Sequence, residues 1–359
     1  MKHIFKITLI IILFASISCS TNKEASKNDD KTSFNDIERG YFRIMFYNVE
    51  NLFDTFDDTL KNDNEFLPNG NKYWNKRKYY KKLNNISKVI TAVGGWEPPE
   101  IIGLCEIENR YVLDGITKFT PLKKYKYRII HDESPDKRGI DVGLLYQQDK
   151  FTPIRYQSIA INFPNNARKT RDILYVKGKT TKNDTLHIFI NHWPSRWGGQ
   201  LESEPKRIFV ANVLKNVVDS IFTANKNANI IITGDFNDEP DNKSLIGVLD
   251  AKIKYTDIKD NKLYNLSFYL KDKKGLGSHK YQGNWGILDQ FIVSGNLFNS
   301  NNRINTSLDD VHVFNADFLL EKDERNIGEK PFRTYIGFRF NDGFSDHLPV
   351  FLDLKRKSK

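Results

Sequence analysis

The chain has 359 residues, 39% of them hydrophobic, with 25 Phe, 16 Tyr, two Cys and a formal net charge of +10. That length and apolar content exclude a disordered tail or a disulfide-stapled miniprotein and are enough for one large α/β domain or two ordinary ones. The charge excludes little: it fits a polyanionic partner such as nucleic acid, a phosphate ester or an anionic lipid, and equally a generic Lys-rich surface.

Lys2 and Lys6 precede the apolar stretch Ile7–Ile17, which is too short to span a bilayer. Ser16, Ile17 and Ser18 then lead into Cys19. The pattern resembles a bacterial lipoprotein signal, with Cys19 the lipidated first residue; Ser16 departs from the aliphatic residue usual there. It predicts a signal peptide over 1–18, a flexible polar tether over 19–40 and a folded domain over 41–355, with plain secretion or a retained anchor as the alternative. Losing 1–18 removes two lysines and no acid, which leaves +8. Cys105 is the only other cysteine, so no internal disulfide is expected, which says nothing about compartment.

Phe42–Tyr47 reads as a strand running into Asn48, Val49 and Glu50. Asn51–Tyr73 is a long loop whose Asp54, Asp57, Asp58, Asp63 and Glu65 read as solvated acids rather than a second cation site. Leu83, Ile86, Val89 and Ile90 give helical spacing over Trp74–Val93, closed by Gly94 and Gly95. Ile101–Leu104 is a buried strand that ends at Glu106. Lys126–His131 and Val142–Tyr146 form a strand pair, as do Phe151–Ile161 and Asp172–Lys177. The loop Asn165–Arg171 joins the second pair, and its Arg168, Lys169 and Arg171 suit either a phosphate clamp or a solvated basic loop.

Thr185–Ile190 is a strand that delivers Asn191, His192 and Trp193; a Gly- and Trp-containing loop, Pro194–Gln200, and a helix, Glu202–Thr223, follow. Ile230–Thr233 is an apolar run ending in Gly234, Asp235, Phe236, Asn237 and Asp238. Asp235 and Asn237 lie two apart and point to one side if strand geometry persists, which suits a general base and an orienter for an attacking water. Asn242–Leu249 is a short helix, and Ser278–Gln282 pairs with Ile287–Val293. Asp289 inside that apolar strand is costly unless paired, which argues for a His partner. Residues 296–343 are a polar, irregular insertion, and Phe344, Ser345, Asp346 and His347 precede a final strand, Leu348–Leu354.

Asn48, Glu106, His192, Asp235, Asn237, Asp289, Asp346 and His347 thus all sit at or beside strand ends, far apart in sequence yet able to meet on one rim. Carboxylate and amide oxygens are hard ligands, suited to Mg²⁺ or Mn²⁺. With two His among them, the set fits metal-assisted attack of water on a phosphate ester.

The segments FYNVENL at Phe46–Leu52, IGLCEIEN at Ile102–Asn109, RGIDVGLLY at Arg138–Tyr146, INHWPSR at Ile190–Arg196, GDFND at Gly234–Asp238, LDQFIVS at Leu288–Ser294 and SDHLPV at Ser345–Val350 resemble, in order, the endonuclease/exonuclease/phosphatase superfamily, in its deoxyribonuclease and abasic-endonuclease branch. The resemblance implies an α/β fold, a four-layer sandwich of two mixed β-sheets packed face to face with helices outside. It implies Glu106 as principal Mg²⁺ ligand with Asn48 and Asp346 beside it, Asp235 as general base, and Asn237 as orienter. His347 would bind the scissile phosphate with Asp289 holding its ring, and His192 would be a second phosphate-facing His, with Asp141 holding it. Arg171 matches a phosphate-contacting Arg; Arg138, Arg196 and Trp193 are further candidates for binding substrate. Glu50 stands where some members have Asp, and Gln290 stands where the inositol-phosphatase branch has Arg.

The expected function is a Mg²⁺- or Mn²⁺-dependent phosphodiesterase acting on nucleic acid by in-line attack of water. The expected setting is a monomer without an obligate protein partner, held on the cell envelope through Cys19, on the periplasmic side or the cell surface, or else secreted. The alternatives are a sphingomyelinase-like or small-molecule phosphoesterase and a non-catalytic binding lipoprotein.

Overall fold

β1 (Tyr41–Leu52) opens the described part of the chain. The computed structural model describes residues 40–164 and 168–357, so the expected signal peptide, Cys19 and the expected tether up to residue 39 lie outside the described residues. After β1 come α1 (Lys76–Gly94), β2 (Ile101–Ile107), α2 (Arg110–Lys118), β3 (Tyr127–Ile130) and β4 (Asp141–Gln147). Then follow β5 (Phe151–Ile159), β6 (Ile173–Thr180), β7 (Thr185–His192), α3 (Gln200–Ala224) and β8 (Ile230–Asp235). Two short strands, β9 (Ala251–Lys252) and β10 (Leu263–Asn265), and α4 (Ser267–Lys274) lead to the hairpin β11 (His279–Tyr281) and β12 (Asn284–Gly286). β13 (Asp289–Ser294) follows, then β14 (Ile304–Asn305), β15 (Val311–Val313), β16 (Leu320–Lys322), β17 (Glu329–Pro331), β18 (Tyr335–Ile336), β19 (Arg339–Phe340) and the closing β20 (Val350–Arg356).

The strands build two large mixed sheets, one in the order β14-β20-β1-β2-β4-β3 with β15 also on β20, the other in the order β5-β6-β7-β8-β13-β10-β9. Their inner faces interlock: Phe46, Leu104, Ile188, Ile190, Ile231 and Phe291 share one core. On one outer face, Leu83, Ile86, Val89 and Ile90 of α1 join that core. On the other, Val210, Leu214 and Val218 of α3 pack on Phe189, Ile230 and Ile232. This is the four-layer sandwich. Strands covered on both faces read as continuous apolar runs, which is why IIGLC and IIIT carry no alternation.

The structure corrects several element assignments. Ser278–Gln282 does not pair with Ile287–Val293. β11 pairs with β12, and β13 lies between β8 and β10 deep in the second sheet. Burial of all six β13 residues decides this, because only an interior position satisfies both edges of such a strand. Asn242–Leu249 is only a π-helical turn at Ser244–Val248. α2 carries no long periodic pattern; it starts where the Asn109 side chain accepts from Val112 N–H. The acidic loop after β1 is partly buried: Asp54 accepts from Phe56 N–H and Asn109, and Asp63 from Asp58 N–H. The 296–343 stretch supplies β14 and β15 to the first sheet and folds the rest into two small hairpins. Among the described residues, no helix is long and apolar enough to cross a membrane.

Gly234 of β8 lies against Asn191 of β7. A Cβ there would lie 2.3 Å from the Asn191 carbonyl oxygen and 2.5 Å from Asn191 Cβ. Backbone in the middle of a sheet cannot retreat cheaply. Gly234→Ala is therefore expected to lower unfolding free energy by about 1–3 kcal/mol, read by urea titration; an unchanged midpoint would show that the two strands have slack.

Candidate active site

Strand parity decides which side chains meet. In β8, Ile230 and Ile232 face α3 while Ile231 faces the other sheet, so the two-residue period carries Asp235 to the inter-sheet side. In β7, Ile188 and Ile190 face inward and His192 follows them. Phe291 and Val293 do the same for Asp289 in β13. Register then sets the three abreast: His192 pairs with Asp235 across the parallel β7–β8 ladder, and Asp289 pairs with Asp235 across the antiparallel β8–β13 ladder. From the opposite sheet come Asn48, in register with Cys105, and His347 from the turn before β20.

Asp235 Oδ2 is the hub. Asn48 Nδ2 donates to it at 3.1 Å, and the Nε2 atoms of His192 and His347 stand 3.8 and 3.9 Å away. Asn237 N–H donates to the other oxygen, Oδ1, at 2.9 Å, and the Asn237 side chain donates to Trp193 O at 3.1 Å. Asp289 Oδ2 accepts from His347 Nδ1 at 2.6 Å. Burial works against charge on His347, but Asp289 and Asp235 outweigh it and hold the pKa well above the usual histidine range. Burial pushes Asp235 up to about 7, with Asp289 and Glu106 adding to it and His347 opposing. His192 is pushed the other way. Burial, then Arg171, Arg138 and His347, keep its imidazole neutral, and its buried Nδ1 has no partner among the described residues. The site therefore presents one cationic and one neutral imidazole to one carboxylate.

Backbone bulges aim the acids. Glu106 has φ +59°, Glu50 +51° and Asn51 +55°, and the β1–β2 and β2–β4 registers shift at these points. Such conformations cost on the order of 1–3 kcal/mol each and re-aim a strand-end side chain. Glu106 Oε2 accepts from Asn51 N–H at 3.0 Å, and its Oε1 faces Asn48 Nδ2 at 3.4 Å and His192 Nε2 at 3.8 Å. Asp346 Oδ2 accepts from Arg333 at 2.9 Å, and Asp346 groups with His279 and His347 closely enough to share a cation. Glu106 and Asp346 offer carboxylate oxygens, the donor type that a hard divalent cation takes; among the described residues the sets close enough to share one ion are Asp346 with His279 and His347, and Asp235 with Asp289 and His347. Asn48 is corrected in one respect: its amide nitrogen points at the acids, and its oxygen accepts from Glu50 N–H, so it bridges carboxylates.

Other expectations fare differently. Asp141 does not hold His192. Its oxygens accept from Ser134 N–H at 2.9 Å and meet His131 Nε2 at 3.1 Å, because the β3–β4 turn folds back over the start of β4. Trp193 is buried, edge-on to Phe236, with its indole N–H on Asn191, so it supports the site and cannot stack on a substrate. Arg171 is also buried; it donates to Asp136 and to Trp193 O. It acts on the site as a fixed charge beside His192 and lines a basic groove with Arg138 and Arg168. Arg196 donates to Asn237 O at 2.8 Å and braces the Asp235 turn. Arg207 is fully buried, 2.8 Å from Asp238, and is unavailable to any polyanion.

Three residues at the site carry no signal in the sequence. His279 bridges to His347, ring centroids 4.6 Å apart. Lys82 of α1 is buried and donates to Phe344 O and Thr334 Oγ1. Arg333, from the 296–343 stretch, pairs with both Glu50 and Asp346. Beside them, Trp197, Tyr281 and Trp285 wall a cleft of about 660 Å³ that reaches Asn237 and His279.

Asp289→Asn should cost about 3 kcal/mol of stability, since it strips the counter-charge from a buried cation. The sign with pH is set by His347. A pKa raised on folding contributes stability that is full below the unfolded value and is lost as pH rises through the folded one. The wild-type advantage in urea unfolding is thus expected to be larger at pH 6 than at pH 9.5; an advantage that grows with pH would contradict a cationic His347.

The catalytic domain of human nocturnin, solved with a bound sulfate anion, is similar with a TM-score of 0.51 at 16% identity, covering 89% of this chain and 96% of that one. A mannosyl-6-phosphatase from Bacteroides thetaiotaomicron gives 0.52 at 16% identity, covering 87% and 99%. An endonuclease/exonuclease/phosphatase family protein from the same organism gives 0.53 at 14% identity, covering 88% and 94%. No curated protein matches the chain. A family model described as "Endonuclease/Exonuclease/phosphatase family" matches residues 43–356, which span every strand-end residue placed above. The chain belongs to the endonuclease/exonuclease/phosphatase family.

Proposed function

We propose that this protein is a divalent-metal-dependent phosphodiesterase that hydrolyses nucleic acid, held on the cell envelope through Cys19. The observation that carries the hydrolytic reading is Asp235 Oδ2, a carboxylate within 4 Å of two imidazoles, one cationic and one neutral.

The chemistry follows from these groups. Asp235, ionised, accepts a proton from water; its titration near neutrality suits a general base. Asn48 N–H fixes the working oxygen, and Asn237 N–H fixes the other. His347, cationic and held at Nδ1 by Asp289, offers its Nε2–H to a phosphoryl oxygen where negative charge develops. His192, neutral, offers a further hydrogen bond from Nε2. A divalent ion at Glu106 and Asp346, Mg²⁺ or Mn²⁺, would supply charge neutralisation on the phosphoryl oxygens.

Two features support a polymeric substrate with rings. The cleft walled by Trp197, Tyr281 and Trp285 opens beside Asn237. The groove lined by Arg138, Arg168, Lys169, Arg171 and Lys206 flanks the same loop on its other side. Trp197, 87% exposed, is the ridge between them. A base stacks on an indole for about 1–3 kcal/mol, and guanidinium groups neutralise neighbouring phosphates.

The deciding experiment is hydrolysis by the protein, with Mg²⁺ or with EDTA, of plasmid DNA, single-stranded RNA, sphingomyelin and a phosphomonoester. Metal-dependent cleavage of nucleic acid, lost in His192→Ala and Asp235→Ala, is expected. Turnover of lipid or monoester alone keeps the mechanism and removes nucleic acid; inactivity on all four by folded protein favours the non-catalytic binding reading. Activity should rise with pH through an apparent pKa at or below about 7, since Asp235 must be ionised and a bound cation lowers its pKa. A rate independent of pH from 4 to 8 would remove Asp235 as the base. Trp197→Ala should raise KM for nucleic acid roughly tenfold, with kcat little changed.

A further inference from the structure

Arg333 stands in an unusual position for a cation near a metal-binding rim. Its Nε donates to Glu50 Oε1 at 2.9 Å. Its Nη2 reaches the same oxygen at 2.8 Å and Asp346 Oδ2 at 2.9 Å. Its Nη1 makes no hydrogen bond among the described residues, and the side chain is 42% exposed. Two of the three guanidinium nitrogens are thus anchored, and the third has no partner among the described residues on a side chain that is partly exposed.

The anchor is built for this purpose more than for a metal. Glu50 is buried, and both its oxygens are in use: Oε1 on Arg333 and Oε2 on Thr334 N–H at 2.6 Å. Lys82, buried beneath, holds Thr334 from the other side through its Oγ1. The segment that carries Arg333 and Thr334 is therefore clamped from α1 and from the β1 bulge at once. A guanidinium fixed on two sides loses little rotamer freedom when its free N–H groups take an anion, and a fork of this kind matches phosphate oxygens.

We propose that Arg333 is a phosphate-binding residue of this site, preorganised by Glu50, with Nη1 as the donor to the anion. Glu50 is then a positioning residue and not a metal ligand. The ligand class is a phosphate group, and the assignment rests on the phosphoesterase reading above. It answers what the 296–343 stretch does: it brings a fixed positive charge to the side of the rim where Asp346 and Glu50 would otherwise leave bare acid.

The test is titration of the full protein with inorganic phosphate by calorimetry, at fixed Mg²⁺. Arg333→Gln is expected to weaken phosphate binding on the order of tenfold or more, and Arg333→Lys less, because charge is kept and the fork lost. Glu50→Gln should weaken binding a few-fold in the wild-type background and have no further effect in Arg333→Gln, a coupling that a purely structural role does not produce. The double variant Glu50→Gln/Arg333→Gln removes the buried Glu50 charge together with the guanidinium that faces it and keeps the measurement possible if Arg333→Gln alone misfolds. Phosphate binding that Arg333→Gln and the double variant retain at wild-type strength overturns the assignment alone. Absence of phosphate binding by the wild type overturns it together with the phosphoesterase reading.

Discussion

The carboxylate of Asp235 is the constraint around which the molecule is arranged. It is buried at the seam of two sheets, with one cationic and one neutral imidazole pointing at a single oxygen. No burial energy favours such a cluster. Ionised groups resist leaving water, and what holds them is the apolar core immediately behind, where Phe46, Ile188, Ile190, Ile231 and Phe291 interlock. The sandwich forces charged residues together at its open end because its strands have nowhere else to stop.

The electrostatics of the rim follow from who stands beside whom. His347 is cationic because two carboxylates flank it and outweigh its burial, and His192 is neutral because burial, then Arg171 and Arg138, oppose its protonation. Two chemically identical side chains are thereby given different hydrogen-bonding roles by neighbours on different elements. The same holds for the acids. Glu106 points its oxygens into the site through a bulge, while Glu50, only two residues beyond Asn48, is turned by its own bulge toward Arg333 and Thr334.

Much of this was legible in the chain. An acid in an apolar strand needs a partner, and for Asp289 that partner is His347 at 2.6 Å. The strand ends at Asn48, Glu106, His192 and Asp235 were legible because buried runs stop abruptly at polar residues. Asp141, which the resemblance implies beside His192, meets His131 instead, because a short turn folds that nearby His onto it. Trp193 and Trp197 look alike in sequence, four residues apart. One is sealed under the Asp235 turn and the other stands in solvent, a distinction that arises only when the loop packs.

By itself the sequence determined the apolar strands, the polar residues that end them and the family motifs they spell, because burial on both faces of a sheet demands continuous apolar runs and leaves chemistry to the ends. Tertiary structure alone decided which ends meet and in what charge state. It put β13 between β8 and β10, set Asp289 abreast of Asp235, and carried Lys82, His279 and Arg333 to the rim, the last from a stretch with no periodic signal. The reason is that the pairing of distant strands, and the fields their side chains feel, depend on contacts across hundreds of residues that no local pattern encodes.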